Sequence, residues 1–206
     1  MKKWKCTICN YIHEGDAPPE RCPICNAPAS KFILLEDKAQ EKTQKETTRP
    51  EEKKAAEPEK PKTAMDQVMN TLVRHHAHPV SVHIPNGVLP VTVLIILLAW
   101  IFDSTLLSKT AFVNIIFVTI SFPLVLFTGV VEWTKKYNKA MTALFKIKIT
   151  AAAVTCTSCL IILLWFIVDP GVLDSARSVV FILLNLIMIA AAGVAGLLGG
   201  KLVFKD

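Results

Sequence analysis

The chain has 206 residues, 52% hydrophobic and 19% charged, with six cysteines and a formal net charge of +6. Its composition shifts so abruptly along its length that a single globular domain is excluded: a compact cysteine-bearing unit over 1–36, a charged tether over 37–63, then a remainder dominated by Leu, Ile, Val, Ala and Phe. A nucleic-acid partner is excluded as well, because the tether's charges nearly cancel and the excess sits in Lys135, Lys136, Lys139, Lys146 and Lys148, between two apolar runs.

Met1-Lys2-Lys3 leads directly into the cysteine motif, so no secretory signal is expected. The stretch "CTICNYIHEGDAPPERCPIC" sets Cys6/Cys9 and Cys22/Cys25 as two Cys-x-x-Cys pairs. In a reducing compartment that spacing reads as one metal site held by two knuckles rather than as two disulfides. A 36-residue unit is too small to be held by its own core, so the metal must supply much of the folding energy. Tetrahedral sulfur suits zinc and iron alike. The spacing by itself therefore leaves a structural zinc ribbon and an iron centre both open.

The residues around the knuckles go further. Trp4 stands two before Cys6 and Tyr11 two after Cys9; "EGDAPPE" precedes the second knuckle; Pro23 makes it Cys-Pro-x-Cys; "APASKF" follows Cys25 and ends on Phe32. In these features residues 1–36 closely resemble the short rubredoxin-like domain of rubrerythrins. The resemblance implies short β-strands and knuckles around a single iron, ligated by the thiolates of Cys6, Cys9, Cys22 and Cys25 and cycling between ferric and ferrous. That family usually has Gly after the second and fourth cysteines, where this chain has Asn10 and Asn26. A knuckle needs a residue tolerating positive φ there, and Asn is the next choice after Gly, so the turn is expected to survive. Rubrerythrins pair the domain with a di-iron bundle built on Glu-x-x-His motifs. This chain has none, so a peroxidase is not expected and only the electron-carrier half remains.

The tether over 37–63 holds Pro50, Pro58 and Pro61 and too few large apolar residues to fold. A flexible chain of that length spans roughly 30 Å on average. It serves as a passive spacer or as a leash letting the iron domain swing between a soluble partner and the membrane face. Next, Met65, Val68, Met69, Leu72 and Val73 share one helical face, predicting an amphipathic interfacial helix over 64–77 with Thr63 as its cap.

"RHHAHPVSVHIPNGVLP" gathers His75, His76, His78 and His83, four of the chain's five histidines. Pro79 disfavours helix at His78, and Pro85 and Pro90 make the start of the first span irregular. "HPVSVHIPNGVLP" and "GVVEW" at 129–133 resemble an uncharacterised bacterial four-helix membrane-domain family over about residues 72–200, which implies no activity. Two readings of the histidines compete. In the favoured one they hydrogen-bond lipid headgroups or broken backbone. In the other, His78 and His83 bind haem or a second metal and accept electrons from the iron. The later spans contain no histidine, so a cross-bundle ligand would have to come from a second subunit or a residue such as Met188. No haem is expected.

Four apolar stretches, roughly 86–103, 110–131, 149–168 and 178–199, are each near the ~20 residues that cross a bilayer core, predicting a four-span transmembrane domain over 78–206. Trp100, Trp133 and Trp165 fall near stretch ends. The lysines of the 132–148 loop place it, and hence both termini, in the cytoplasm of a prokaryotic cell. Ala192, Gly196 and Gly200 at four-residue spacing pack within the bundle or mediate a homodimer, the first being favoured. Cys156 and Cys159 share a helical face and read as small apolar packers, with a membrane dithiol as the alternative.

The expected fold is thus a small rubredoxin-like metal-bound domain plus an all-α transmembrane four-helix bundle. The expected function is membrane-anchored one-electron transfer between a donor and an acceptor that the sequence leaves unidentified, and not conversion of a substrate. The competing class is a zinc-ribbon binding module on a membrane scaffold, with no redox role.

Overall fold

The computed structural model describes residues 2–35 and 63–204. Apart from Thr63, the tether expected over 37–63 lies outside the described residues. The N-terminal unit is a three-stranded antiparallel sheet of β1 (Lys3–Cys6), β2 (Ile12–Glu14) and β3 (Phe32–Leu35), in the order β2-β1-β3. The register sets Trp4 opposite His13 and Leu34, and Cys6 opposite Phe32. Strands this short do not stand alone. The unit's buried residues are its four cysteines with Ile24, Ala27 and Phe32, so its core is built around sulfur.

Helix α1 (Ala64–Arg74) is capped by Thr63, whose Oγ1 accepts from the Asp66 amide at 3.3 Å. It lies along α4 (Thr105–Lys136), where Lys135 Nζ meets Asp66 Oδ1 at 2.8 Å. The helix stops at Arg74, because His76 turns left-handed (φ 52°), and the chain restarts as α2 (Ala77–Ser81). His78 is helical although Pro79 was expected to oppose it. The reason is position: α2 begins two residues before Pro79, and in a first turn the missing N–H has no intrahelical partner anyway.

α3 (His83–Ile101), α4, α5 (Ala143–Val168) and α6 (Ser178–Phe204) form a closed ring in which each helix packs against the next and α6 against α3. The connections are short, at 102–104, 137–142 and 169–177, so consecutive helices run antiparallel. With α2 running on into α3, four helices are long and apolar enough to cross a membrane. Their ends differ from the apolar stretches. Lys135 and Lys136 belong to α4, and Lys146 and Lys148 to α5, so the expected 132–148 loop shrinks to 137–142. Hydropathy marks where apolar residues stop, whereas the backbone ladder continues, because a lysine head on a four-carbon stem can reach outward along its helix.

Leu89, Ile96, Ile115, Val118, Ile162, Phe181 and Met188 fill the bundle axis. An aromatic group closes the end away from the lysines, with ring centroids 4.8 Å apart for Phe166–Phe181, 5.7 Å for Trp165–Phe181 and 5.8 Å for Phe112–Phe166. The outward faces remain apolar: Leu106 and Ile120 are each 72% exposed, which suits hydrocarbon rather than water. Two of the three small residues in α6 pack within the chain. Ala192 joins the core, and a Cβ on Gly196 would lie 3.3 Å from the Asn86 amide of α3. Gly200 has nothing within 4 Å.

Candidate metal centre

β1 delivers Cys6, the turn after it delivers Cys9, and the second knuckle between Arg21 and Pro28, themselves joined by a β-bridge, delivers Cys22 and Cys25. The two knuckles repeat one geometry. Asn10 N–H donates to Cys6 O at 3.0 Å and Asn26 N–H to Cys22 O at 2.9 Å; Cys6 N–H donates to Tyr11 O at 2.8 Å and Cys22 N–H to Ala27 O at 2.7 Å. Asn10 and Asn26 both sit at φ 59°, the left-handed conformation expected of them. Asn26→Ala is therefore expected to destabilise the knuckle by about 1 kcal/mol, and Asn26→Gly to leave it level or better. The guanidinium midpoint for metal loss measures this, and an Ala variant as stable as the parent would contradict it.

The four sulfurs lie within 4.8 Å of one another and are all buried. Cys6 Sγ to Cys25 Sγ is 3.7 Å and Cys9 Sγ to Cys22 Sγ is 3.6 Å, with every cysteine unpaired. A tetrahedral ion with metal–sulfur bonds of about 2.3 Å needs sulfur–sulfur edges of roughly 3.8 Å, so the donor set fits a four-thiolate metal. The Tyr11 amide is aimed at Cys9 sulfur, those of Cys25 and Ile24 at Cys22, and that of Ala27 at Cys25. Such donors favour thiolate over thiol. A hydrogen bond with Cys25 draws Cys9 down to about 5, against its burial. Burial pushes Cys22 up to about 11, and the hydrogen bond with Cys9 drives Cys25 upward too. One thiolate thus opposes the next, and a cation is what lets all four ionise.

The histidines fall elsewhere. His78 enters the bundle over Gly129, where a Cβ would stand 3.0 Å from its Cε1, and its Nδ1 is 3.4 Å from Thr128 Oγ1. Thr128 in turn meets Ser81 Oγ at 3.0 Å. His83 is exposed, its Nδ1 bonded to Pro79 O at 2.7 Å one turn back. His78 and His83 thus have separate surroundings, while His75 and His76 are exposed. Among the described residues, the four cysteines form the one group of three or more metal-ligating side chains. Cys159 is buried with its sulfur 3.4 Å from Thr119 Oγ1, and Cys156 packs beside the same core.

Beside His78 lies a charged group that the sequence reading did not single out. Glu132 is buried and its Oε1 holds Lys136 Nζ at 2.9 Å. The charges of Glu132, Lys136 and Lys148 all reach His78. A buried carboxylate at the end of a long apolar helix is costly unless paired, and Lys136 is its partner here. The signal was present in "GVVEW", where a carboxylate directly follows the 110–131 apolar stretch.

Residues 4–33 match the family model for the rubrerythrin rubredoxin-like domain. Over 40 residues the chain is 45% identical to reverse rubrerythrin-1 of Clostridium acetobutylicum, a match covering 19% of this chain and 22% of that protein. Over 33 residues it is 52% identical to rubrerythrin of Nitratidesulfovibrio vulgaris, covering 16% of this chain and 17% of that protein. The chain therefore spans about a fifth of the length of the curated relatives it matches. No solved structure matches.

Proposed function

We propose that this chain is a membrane-anchored electron carrier whose rubredoxin-like domain holds one iron in the thiolates of Cys6, Cys9, Cys22 and Cys25. The observation that carries the reading is a buried four-sulfur site in a domain matching the rubrerythrin rubredoxin-like family, on a chain with four helices apolar enough to cross a membrane. Iron in four thiolates supplies one-electron exchange between its ferric and ferrous states. The protein's part is to hold the sulfurs in one arrangement for both states and to keep water off them. The four inward amide donors stabilise sulfur's negative charge and so bear on the potential. The bilayer fixes the carrier near membrane partners, with an unidentified protein or membrane carrier as donor and acceptor.

The donor set would also accept zinc, and the visible spectrum separates the two. Aerobically purified full-length protein should be red by sulfur-to-iron charge transfer and bleach on reduction, whereas a filled d shell gives no colour. A colourless protein with stoichiometric zinc would establish the binding module with no redox role. The same spectrum tests for haem, and no Soret band is expected, because His78 and His83 have separate surroundings. A Soret band lost in both His78→Ala and His83→Ala would overturn that expectation.

The membrane is read as the cytoplasmic membrane of a prokaryote, with the metal domain and the 137–142 connection inside. An impermeant thiol reagent should label a cysteine placed at Ser175 in intact cells and spare one placed at Asn138. The reverse labelling would put the metal domain outside.

A further inference from the structure

One cluster of buried side chains runs without a break from the metal unit into the lysine-bearing end of the bundle. It contains Cys6, Cys9, Cys22, Ile24 and Cys25 on one side and Tyr137, Leu144, Phe145 and Leu202 on the other. Tyr137 and Phe145 pack ring to ring at 5.1 Å, Lys136 Nζ stands 5.3 Å from the Tyr137 centroid, and Trp133 Nε1 donates to Ala140 O at 2.9 Å. These contacts make an apolar platform from a connection only six residues long, 137–142, and the helix ends beside it. Tyr137 and Phe145 are each 3% exposed. They share one buried cluster with the cysteines of the metal unit and with Leu144, Leu202, Trp133 and Leu198 of the helical end.

We propose that this platform is the docking site for the chain's own metal domain, which seats its Cys9-bearing knuckle on Tyr137, Leu144, Phe145 and Leu202. Three further observations agree. Ile8, beside Cys9, and Tyr11 pack at the margin of the shared cluster from the metal side, as Trp133 and Leu198 do from the helical side. Charge is complementary: four thiolates around a trivalent or divalent ion carry a net negative charge, and Lys136, Lys139 and Lys146 surround the platform in sequence. Reach is sufficient, because the 27 residues of 36–62 extend to at most about 90 Å. In the docked state the Cys9 side of the centre is covered, so a soluble protein reaches it from that side only after release. This contact rests on packing and holds whichever metal is bound; its use in electron transfer rests on the function proposed above.

The test uses full-length protein in liposomes, with the photoreactive residue p-benzoylphenylalanine at position 8. After illumination and digestion, mass spectrometry should find the link to peptides spanning 133–145 or 198–202. Phe145→Asp should lower the yield at least fivefold while metal content stays stoichiometric, and Tyr137→Ser serves as the second variant should Phe145→Asp not accumulate. Mixing isotopically labelled with unlabelled chains separates links within a chain from links between chains. Links absent from both peptides, a yield unchanged in a folded platform variant, or links formed only between chains would each overturn self-docking. A red protein without these links would leave the electron carrier standing and remove the docking; a colourless zinc protein with them would do the opposite.

Discussion

Cys22→Ser is expected to strip the metal and unfold residues 2–35, leaving the helical bundle intact. Apart from its cysteines, the unit buries only Ile24, Ala27 and Phe32, and a fully buried large apolar side chain contributes about 1.5–3 kcal/mol. Metal binding in comparable small four-ligand domains supplies about 10–16 kcal/mol of folding free energy, so losing one ligand removes more than the remaining core can replace. Metal analysis and limited proteolysis read the outcome: no bound metal, rapid cleavage within 2–35 and a protected fragment covering 77–204. A variant that kept stoichiometric metal and resisted cleavage would show that the metal does not hold this unit together. The same chemistry sets the pH dependence. Cys22 and Cys25 are raised above the ordinary thiol range when no cation compensates their charge, so binding must release their protons. Acid therefore competes with metal, and metal loss should grow as pH falls.

Phe181→Ala is expected to be the most damaging single truncation in the bundle, at about 3–5 kcal/mol. Phe181 is fully buried and its ring meets both Trp165 and Phe166 edge-on. With the bundle in lipid, as proposed, the apolar surroundings offer little drive for association, so helix contacts depend on close packing, and a cavity at an aromatic junction forfeits many contacts at once. Val180→Ala, one residue earlier on the exposed face, should stay within about 0.5 kcal/mol. Unfolding in mixed detergent micelles, followed by helical circular dichroism, compares them. Equal losses would mean that the aromatic junction does not organise this end of the bundle.

Much of this molecule was legible one residue at a time. Cys6, Cys9, Cys22 and Cys25 declare a metal site because two ligands three residues apart already make half a tetrahedron. Asn10 and Asn26 declare left-handed knuckle positions because few other residues tolerate that conformation, and both are found there. Four helices long and apolar enough to cross a membrane follow from apolar runs near bilayer length, since a helix satisfies its own backbone whatever its neighbours are. Thr63 is legible as a cap because its partner, Asp66, is three residues away. All of these are local properties of the chain.

The tertiary structure decided what depends on distant residues meeting. No local pattern shows that His78 faces Gly129 and Thr128 while His83 turns outward, because helix phase within the bundle is set by the neighbouring helices. Hydropathy predicts a loop over 132–148, yet four of its five lysines lie on helices, because backbone hydrogen bonding does not stop where hydropathy changes. Glu132 falls at the start of the expected 132–148 loop, and packing is what encloses it beside Lys136. The platform of Tyr137, Phe145 and Leu202 draws residues from a connection and two different helices against a domain more than a hundred residues earlier in sequence. The charged segment between them carries no signal of that contact, because burial is a property of the assembled surface and each of these residues would be equally at home exposed at a bilayer interface.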